Sequence, residues 1–193
     1  MTRLENLLEQ VKGLYEEKLE TRDEWADWIY PNHVVIVTNN ALLVAERFGA
    51  NSELSQVAAV LHDVADYKMA RINPDHENES MNIARDLMKN CGYADDEILL
   101  VVDDAIRYHS CHGNERPSSL EGLVLATADS MAHLQTDFYI HATWAMGSSK
   151  SLDEVKVWAL SKIERDLNNK IYFDDIREEV RADYEIIKAL YSR

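Results

Sequence analysis

Seven histidines are spread along 193 residues, and several stand where a helix would turn them inward. His33 opens the series His33, Val37, Ala41, Val44, Phe48, which is spaced for one face of a helix. His109 closes Ile98, Val102, Ala105, His109, and His76 opens His76, Ser80, Ile83, Leu87. Asp129 lies between Leu125 and Ala132. His62 and Asp63 sit inside AAVLHDVA, where an unpaired carboxylate is costly. Adjacent helix positions differ by about 100°, so both side chains can reach one crevice. A lone inward histidine is ordinarily a hydrogen-bonded core residue, and a lone buried aspartate a cap or an arginine partner. Six inward imidazoles and carboxylates together predict convergence on a metal. The set contains no thiolate, which favours a hard or borderline cation with open positions over a closed structural site.

Helices must position these groups. Leu4, Leu7, Leu8, Val11 and Leu14 repeat at three and four residues and predict an opening helix. A short helix holds Trp25 and Trp28, and Pro31 is expected to interrupt the chain before a long apolar helix from about His33 to Phe48, stopped by Gly49. Asn51-Ser52 caps a helix expected to run from Glu53 to Ala65. Another runs from Pro74-Asp75 to Cys91-Gly92, and the next from Asp95 to Tyr108. Ser118 with Glu121 and Ser151 with Glu154 have capping-box spacing before Leu123–Leu134 and Val155–Leu167. Asp175 and Glu178 share that spacing ahead of a last helix to about Tyr191. Strand-like alternation is absent, and glycine (6) and proline (3) are scarce. The expected fold is an all-α bundle, one domain over residues 1–193, without linker or repeat.

Charge narrows the partners. Twenty Lys+Arg against 35 Asp+Glu give a net −15, and the pI is near 4.8. A face that neutralises a phosphate backbone is not expected, which disfavours long nucleic acids, and an anionic membrane surface is disfavoured likewise. A small phosphorylated substrate fits if metal ions screen it. Cys91 and Cys111 form no CxxC pair and imply a reducing compartment. The opening MTRLENLLEQVKG lacks an apolar signal core, and apolar runs are as short as Ile98 to Val102, so a cytoplasmic protein is expected. A homodimer is compatible with these features.

The order His33, His62-Asp63, Asp129, each on its own helix, resembles the HD superfamily of metal-dependent phosphohydrolases. The likeness extends to HxxxVxxxA at His33, AAVLHDVADYK at Ala58 to Lys68, the helix opening at His76, IRYHS at Ile106 to Ser110 and LEGLVLATADSM at Leu120 to Met131. It covers about residues 25 to 135.

The resemblance implies that His33, His62, Asp63 and Asp129 bind one divalent metal, with manganese, magnesium, cobalt, iron, nickel and zinc all admissible. In members with two metals, an aspartate like Asp63 bridges and two further histidines bind the second ion. His76 and His109 stand at suitable positions, with His112 a rival to His109. His133, one turn after Asp129, is second to these and faces either a ligand or the substrate; His141 is less placed for the role. A bound metal lowers the pKa of water and offsets phosphate charge. Asp66, one turn after Asp63, is positioned to orient or deprotonate the attacking water, and Lys68 to touch a phosphate. The DxK spacing after HD looks like that of small bacterial HD nucleotide pyrophosphohydrolases. Asp66-Tyr67 stands where alarmone hydrolases carry Glu-Asp, which argues against an alarmone substrate. Lys156, Lys162, Arg165, Arg177 and Arg181 are expected to be exposed charges in i, i+4 pairs, such as Arg177 beside Glu178, with at most one facing phosphate. Trp144, Trp158 and Tyr172 are expected in the core, with a base-stacking wall as the alternative.

The expectation is thus a hydrolase of a small phosphorylated metabolite, a nucleotide above all. Two alternatives remain: a mixed-valent di-iron oxygenase using His33, His62, Asp63, His76, His109 and Asp129, and a non-catalytic nucleotide-binding regulator.

Overall fold

The computed structural model describes residues 1–17, 19–20, 24–113, 115–147 and 149–193, and among these the chain is helical with no strand. The helices are α1 (Arg3–Glu16), α2 (Trp25–Ile29), α3 (Val35–Phe48), α4 (Ser52–Leu61), α5 (His76–Asn90), α6 (Asp95–Ile98), α7 (Leu120–Gln135), α8 (Phe138–Met146), α9 (Leu152–Arg165), α10 (Asp174–Glu179) and α11 (Arg181–Tyr191). No helix of the described residues is long and apolar enough to cross a membrane.

α7 is the axis of the bundle. Every residue from Val124 to Leu134 is buried, as expected for a helix built of small and apolar residues on all sides. α3 and α4 pack on it and on each other. α1 covers α4, and α11 packs on α9 and α7, so one continuous core runs from Leu7 to Tyr184. Gly122 lets the start of α7 approach its neighbours: a Cβ there would lie 2.4 Å from Pro117 Cβ and 3.1 Å from Asp104 Oδ2.

Pro31 does not interrupt the chain. α2 passes through a π-helical turn, Tyr30–Val34, directly into α3. The missing proline N–H is absorbed by widening the turn: Val35 N–H bonds to Tyr30 O, and Asn32 Nδ2 donates to Trp28 O at 2.8 Å. Two more π-helical stretches, Leu99–Ile106 and Asp166–Lys170, lead towards His109 and contain Lys170.

α4 ends earlier than its sequence pattern implies. Asn51 caps it as expected, accepting from Glu53 N and Leu54 N. The helix stops at Leu61, Asp63 leaves helical geometry (φ −128°, ψ 32°), and Val64–Tyr67 form a 3₁₀ turn. Tertiary bonds decide this: Ser80 Oγ of α5 accepts from Ala65 N at 3.1 Å, and both Asp63 and Asp66 reach Arg71. The break turns Asp63 away from the helix axis it would otherwise follow.

Caps and surface charges bring further corrections. The α7 cap is Ser119, which accepts from Gly122 N, rather than a Ser118–Glu121 box. Asp104 holds both serines, and Glu121 instead accepts from Asn51 N. Asp175 and Glu178 form no box either, because Arg47 of α3 takes Asp175 and Arg181 takes Glu178, and the last segment is split at Val180 into α10 and α11. Arg177 pairs with Asp174, not Glu178. Trp144 is 77% exposed, so it is not core. The Ser151–Glu154 box forms as expected.

Gly49 ends α3 in the left-handed region (φ 78°), with its N–H bonded to Ala45 O. A Cβ there would meet nothing within 4 Å, so substitution brings backbone strain and no clash. Gly49→Ala is expected to lower stability by about 1–2 kcal/mol. Thermal unfolding checks this, and an unchanged melting temperature would show that the cap can relax.

Candidate metal centre

His33, His62, Asp63, Asp129 and His109 come together from four parts of the chain. His33 lies in the π-helical turn before α3, His62 caps the end of α4, Asp63 follows it, Asp129 lies mid-α7, and His109 follows the Leu99–Ile106 stretch. His33 Nε2 is 3.1 Å and His62 Nε2 is 3.9 Å from Asp129 Oδ1. His62 Nε2 is 3.2 Å from Asp63 Oδ2. One ligand atom each from His33, His62 and Asp129 lie within 4.8 Å of one another, and so do those of His62, Asp63 and His109. The two sets share His62.

Backbone carbonyls orient two of the imidazoles. His62 Nδ1 donates to Ala59 O at 2.7 Å, and His109 Nδ1 to Ile106 O at 2.6 Å. Each ring therefore presents the lone pair of Nε2, the form that binds metal. Burial pushes His109 down to about 4 against the pull of Asp63, so it is neutral near pH 7. Burial also lowers His33, although Asp129 opposes it. For His62 burial is outweighed by Asp63 and Asp129, which raise it. Asp129 is buried, which alone would raise its pKa, but His133, Lys170 and His33 hold it well below the carboxylate range. Arg71 and His62 do the same for Asp63.

Four atoms test whether a cation fits. His33 Nδ1, His33 Nε2, His62 Nε2 and Asp129 Oδ1 are shut off from solvent and make no hydrogen bond. Their mutual distances are short but misaligned for donation. Three of them, His33 Nε2, His62 Nε2 and Asp129 Oδ1, face one point, and a buried unpaired acceptor is unfavourable. A divalent cation satisfies all three at once, and the imidazole–carboxylate set suits such an ion.

The other expected residues are placed differently. Asp66 is buried, ion-paired with Arg71, and its Oδ1 lies 2.9 Å from His76 Nε2. Both its oxygens are engaged, and His76 is turned towards Asp66 and lies outside the ligand sets. Lys68 pairs with Glu79 at 2.6 Å and is not drawn into the centre. His112 Nδ1 faces Arg165 at 3.1 Å, and His141 stacks on Trp28 with ring centroids 4.1 Å apart.

Sequence reasoning missed the counter-ions. Arg71 Nη1 is 2.6 Å from Asp63 Oδ2. Lys170 is 2% exposed and pairs with Asp129 Oδ2. His133 Nε2 lies 3.2 Å from Asp129 Oδ1, and its Nδ1 3.0 Å from Asp166 Oδ2. Asp166 also accepts from Tyr139 Oη and, at 3.4 Å, from Lys162 Nζ. Lys162, expected on the surface, is therefore part of the interior, and burial beside Lys170 lowers it to about 8 against the pull of Asp166. Lys162, Asp166 and Lys170 recur every four residues beside Ile163, Leu167 and Ile171. That spacing is also the one of an ordinary solvated i, i+4 face, so the sequence carries no signal that this one is buried.

Comparison with known proteins fits this centre. A family model described as HD domain matches residues 30–134. The symmetrical bis(5'-nucleosyl)-tetraphosphatase of Bacillus subtilis (strain 168) is 35% identical over 94 residues, covering 40% of this chain and 48% of that protein. Ribonuclease Y of Rubrobacter xylanophilus is 32% identical over 103 residues, covering 52% of this chain and 17% of the relative. The chain thus spans about half the length of the first curated relative and much less of the second. A crystal structure of an HD superfamily hydrolase from an uncultured Thermotogales bacterium shares the fold, with a TM-score of 0.62 at 19% identity over 100% of this chain and 91% of that one. With more than half its length matched, and with His33, His62 and Asp129 gathered in one set and Asp63 beside His62 in a second, this chain belongs to the HD-domain family.

Proposed function

We propose that the protein is a metal-dependent phosphohydrolase acting on a small phosphorylated metabolite, with a nucleotide as the substrate class. The observation that carries this reading is the convergence of His33 Nε2, His62 Nε2 and Asp129 Oδ1, buried and without hydrogen bonds. His33, His62, Asp63 and Asp129 would hold the cation, with His109 beside Asp63. Such an ion, when bound, acts as a Lewis acid on phosphate and lowers the pKa of water.

The chain's own residues supply orientation. Ala59 O and Ile106 O fix the tautomers of His62 and His109. Arg71, one-third exposed and bound to Asp63 and Asp66, puts a cation at the more open side of the centre, where a phosphate would be attracted. Asp66 holds Arg71 and His76 in place, so the geometry supports a positioning role for it more than proton abstraction. The net −15 charge supports a small substrate over a long nucleic acid. The Bacillus relative's dinucleotide substrate supports a nucleotide. His76 lies 2.9 Å from Asp66 Oδ1 and outside both ligand sets, which supports the hydrolase reading over a six-ligand oxygenase.

The test is a screen of nucleotides and phosphomonoesters with the metal-stripped protein, resupplied with manganese, cobalt or magnesium. Metal-dependent release of phosphate from a nucleotide is expected, abolished by a chelator. Absence of hydrolysis with every metal would overturn the reading, and a mixed-valent iron signal would favour the oxygenase instead.

A further inference from the structure

We propose that Lys170 is a positioning residue for Asp129: it holds Oδ2 and thereby leaves Oδ1 as the one oxygen turned towards His33 and His62. The proposal rests on the metal-centre reading above. An aspartate carboxylate rotates in a broad, two-fold well, so its two oxygens are interchangeable unless a partner distinguishes them. Here Oδ2 meets Lys170 Nζ, whereas Oδ1 has no hydrogen bond and lies 3.1 Å from His33 Nε2. Lys170 breaks the degeneracy.

The surroundings hold Lys170 to that task. It lies beyond residue 134, where the family match ends, in the Asp166–Lys170 π-helical turn that follows α9. Thr127, two residues before Asp129 on α7, fastens that turn: its hydroxyl donates to Lys170 O at 3.4 Å and accepts from Tyr172 N at 3.2 Å. Asp166, 3.9 Å from Lys170 Nζ, supplies a second anion and is itself held by Tyr139 Oη. A lysine that is 2% exposed has no solvent to retreat to, and its charge is compensated by these carboxylates. His133, stacked on His33 with centroids 4.9 Å apart, limits Asp129 on the Oδ1 side. The segment after α9 thus completes a centre whose ligands all precede it.

Cobalt(II) titration of the metal-stripped full chain tests this, read by affinity and by the visible spectrum. Lys170→Met is expected to bind Co²⁺ about 10–100-fold more weakly, with shifted bands, the scale seen when an outer partner of a ligand is lost. Lys170→Gln, which keeps a donor without the charge, is expected to lie between it and wild type. Ile176→Ala destabilises the same C-terminal segment without touching the centre and is expected to match wild type. If Lys170→Met does not fold, Thr127→Val takes its place: it keeps every charge and frees the turn, and its affinity and bands are expected to move in the same direction. Wild-type or tighter affinity with unchanged bands in whichever of these two variants is measured overturns the proposal while leaving the metal centre intact. A wild-type chain that takes up no Co²⁺ overturns the metal centre itself, and this proposal with it.

Discussion

Asp129→Asn is expected to lose its metal and to slow any phosphate hydrolysis by about a thousandfold, the rate equivalent of roughly 4 kcal/mol of charge stabilisation. Asn keeps the shape of Asp but removes the anion that His33, His62 and Lys170 surround. Asp129→Ala goes further, because it removes both the charge and the oxygen that accepts from Lys170 Nζ, leaving that buried ammonium to Asp166, 3.9 Å away. Breaking a buried ion pair on one side costs about 3–5 kcal/mol, which for a chain of this size lowers the melting temperature on the order of 10 °C. Elemental analysis of the purified variants and thermal unfolding check both statements. Full metal content in Asp129→Asn would remove Asp129 from the centre.

Arg71→Met is expected to destabilise the metal-free protein by about 2 kcal/mol, towards the low side of the range for buried pairs because the guanidinium is partly exposed. Asp63 and Asp66 then both lose the guanidinium that compensates their charge, since Arg71 is bound to both. Added Mn²⁺ or Co²⁺ restores a positive charge beside Asp63, and a ligand that binds only the folded state stabilises it. The metal-induced rise in melting temperature is therefore expected to be larger in Arg71→Met than in wild type. An equal or smaller rise would show that Arg71 and the metal do not share Asp63. The two substitutions probe opposite ends of the centre: one removes a ligand and strands its cation, and the other removes a cation and strands its ligands.

Helix periodicity and the ordered H…HD…D pattern were sufficient for the all-α fold and for the convergence of His33, His62 and Asp129. A residue's face is a local property that follows from its offset along a helix, as Val37, Ala41 and Val44 show in α3, whereas the joint ligand set is what the resemblance to the HD family implied. The same rule runs α4 on to Ala65, past the stop that Ser80 and Arg71 set after Leu61, although His62 and Asp63 still reach one crevice. It could not anticipate the turn at Pro31, where the chain changes from α to π hydrogen bonding and carries His33 inward without a break. His76 shows the limit from another side. Its inward face was correctly read, since it is buried, but facing the core does not select a partner, and Asp66 lies 2.9 Å away.

Counter-ions belong to the tertiary structure alone. Lys162, Asp166 and Lys170 repeat every four residues, a spacing that looks the same on a solvated face as in a buried turn. Only the packing of the segment after α9 against α7 sends Lys170 to Asp129, some forty positions away in the chain, and only the loop after the 3₁₀ turn brings Arg71 over Asp63. Sequence determined which apolar faces of the helices turn inward, because that depends on backbone periodicity, but not the burial of Lys162 and Lys170 or the exposure of Trp144. Tertiary structure decided which charge meets which, because an ion pair forms between groups that are near in space whatever their separation along the chain, and burial then makes that choice costly to change.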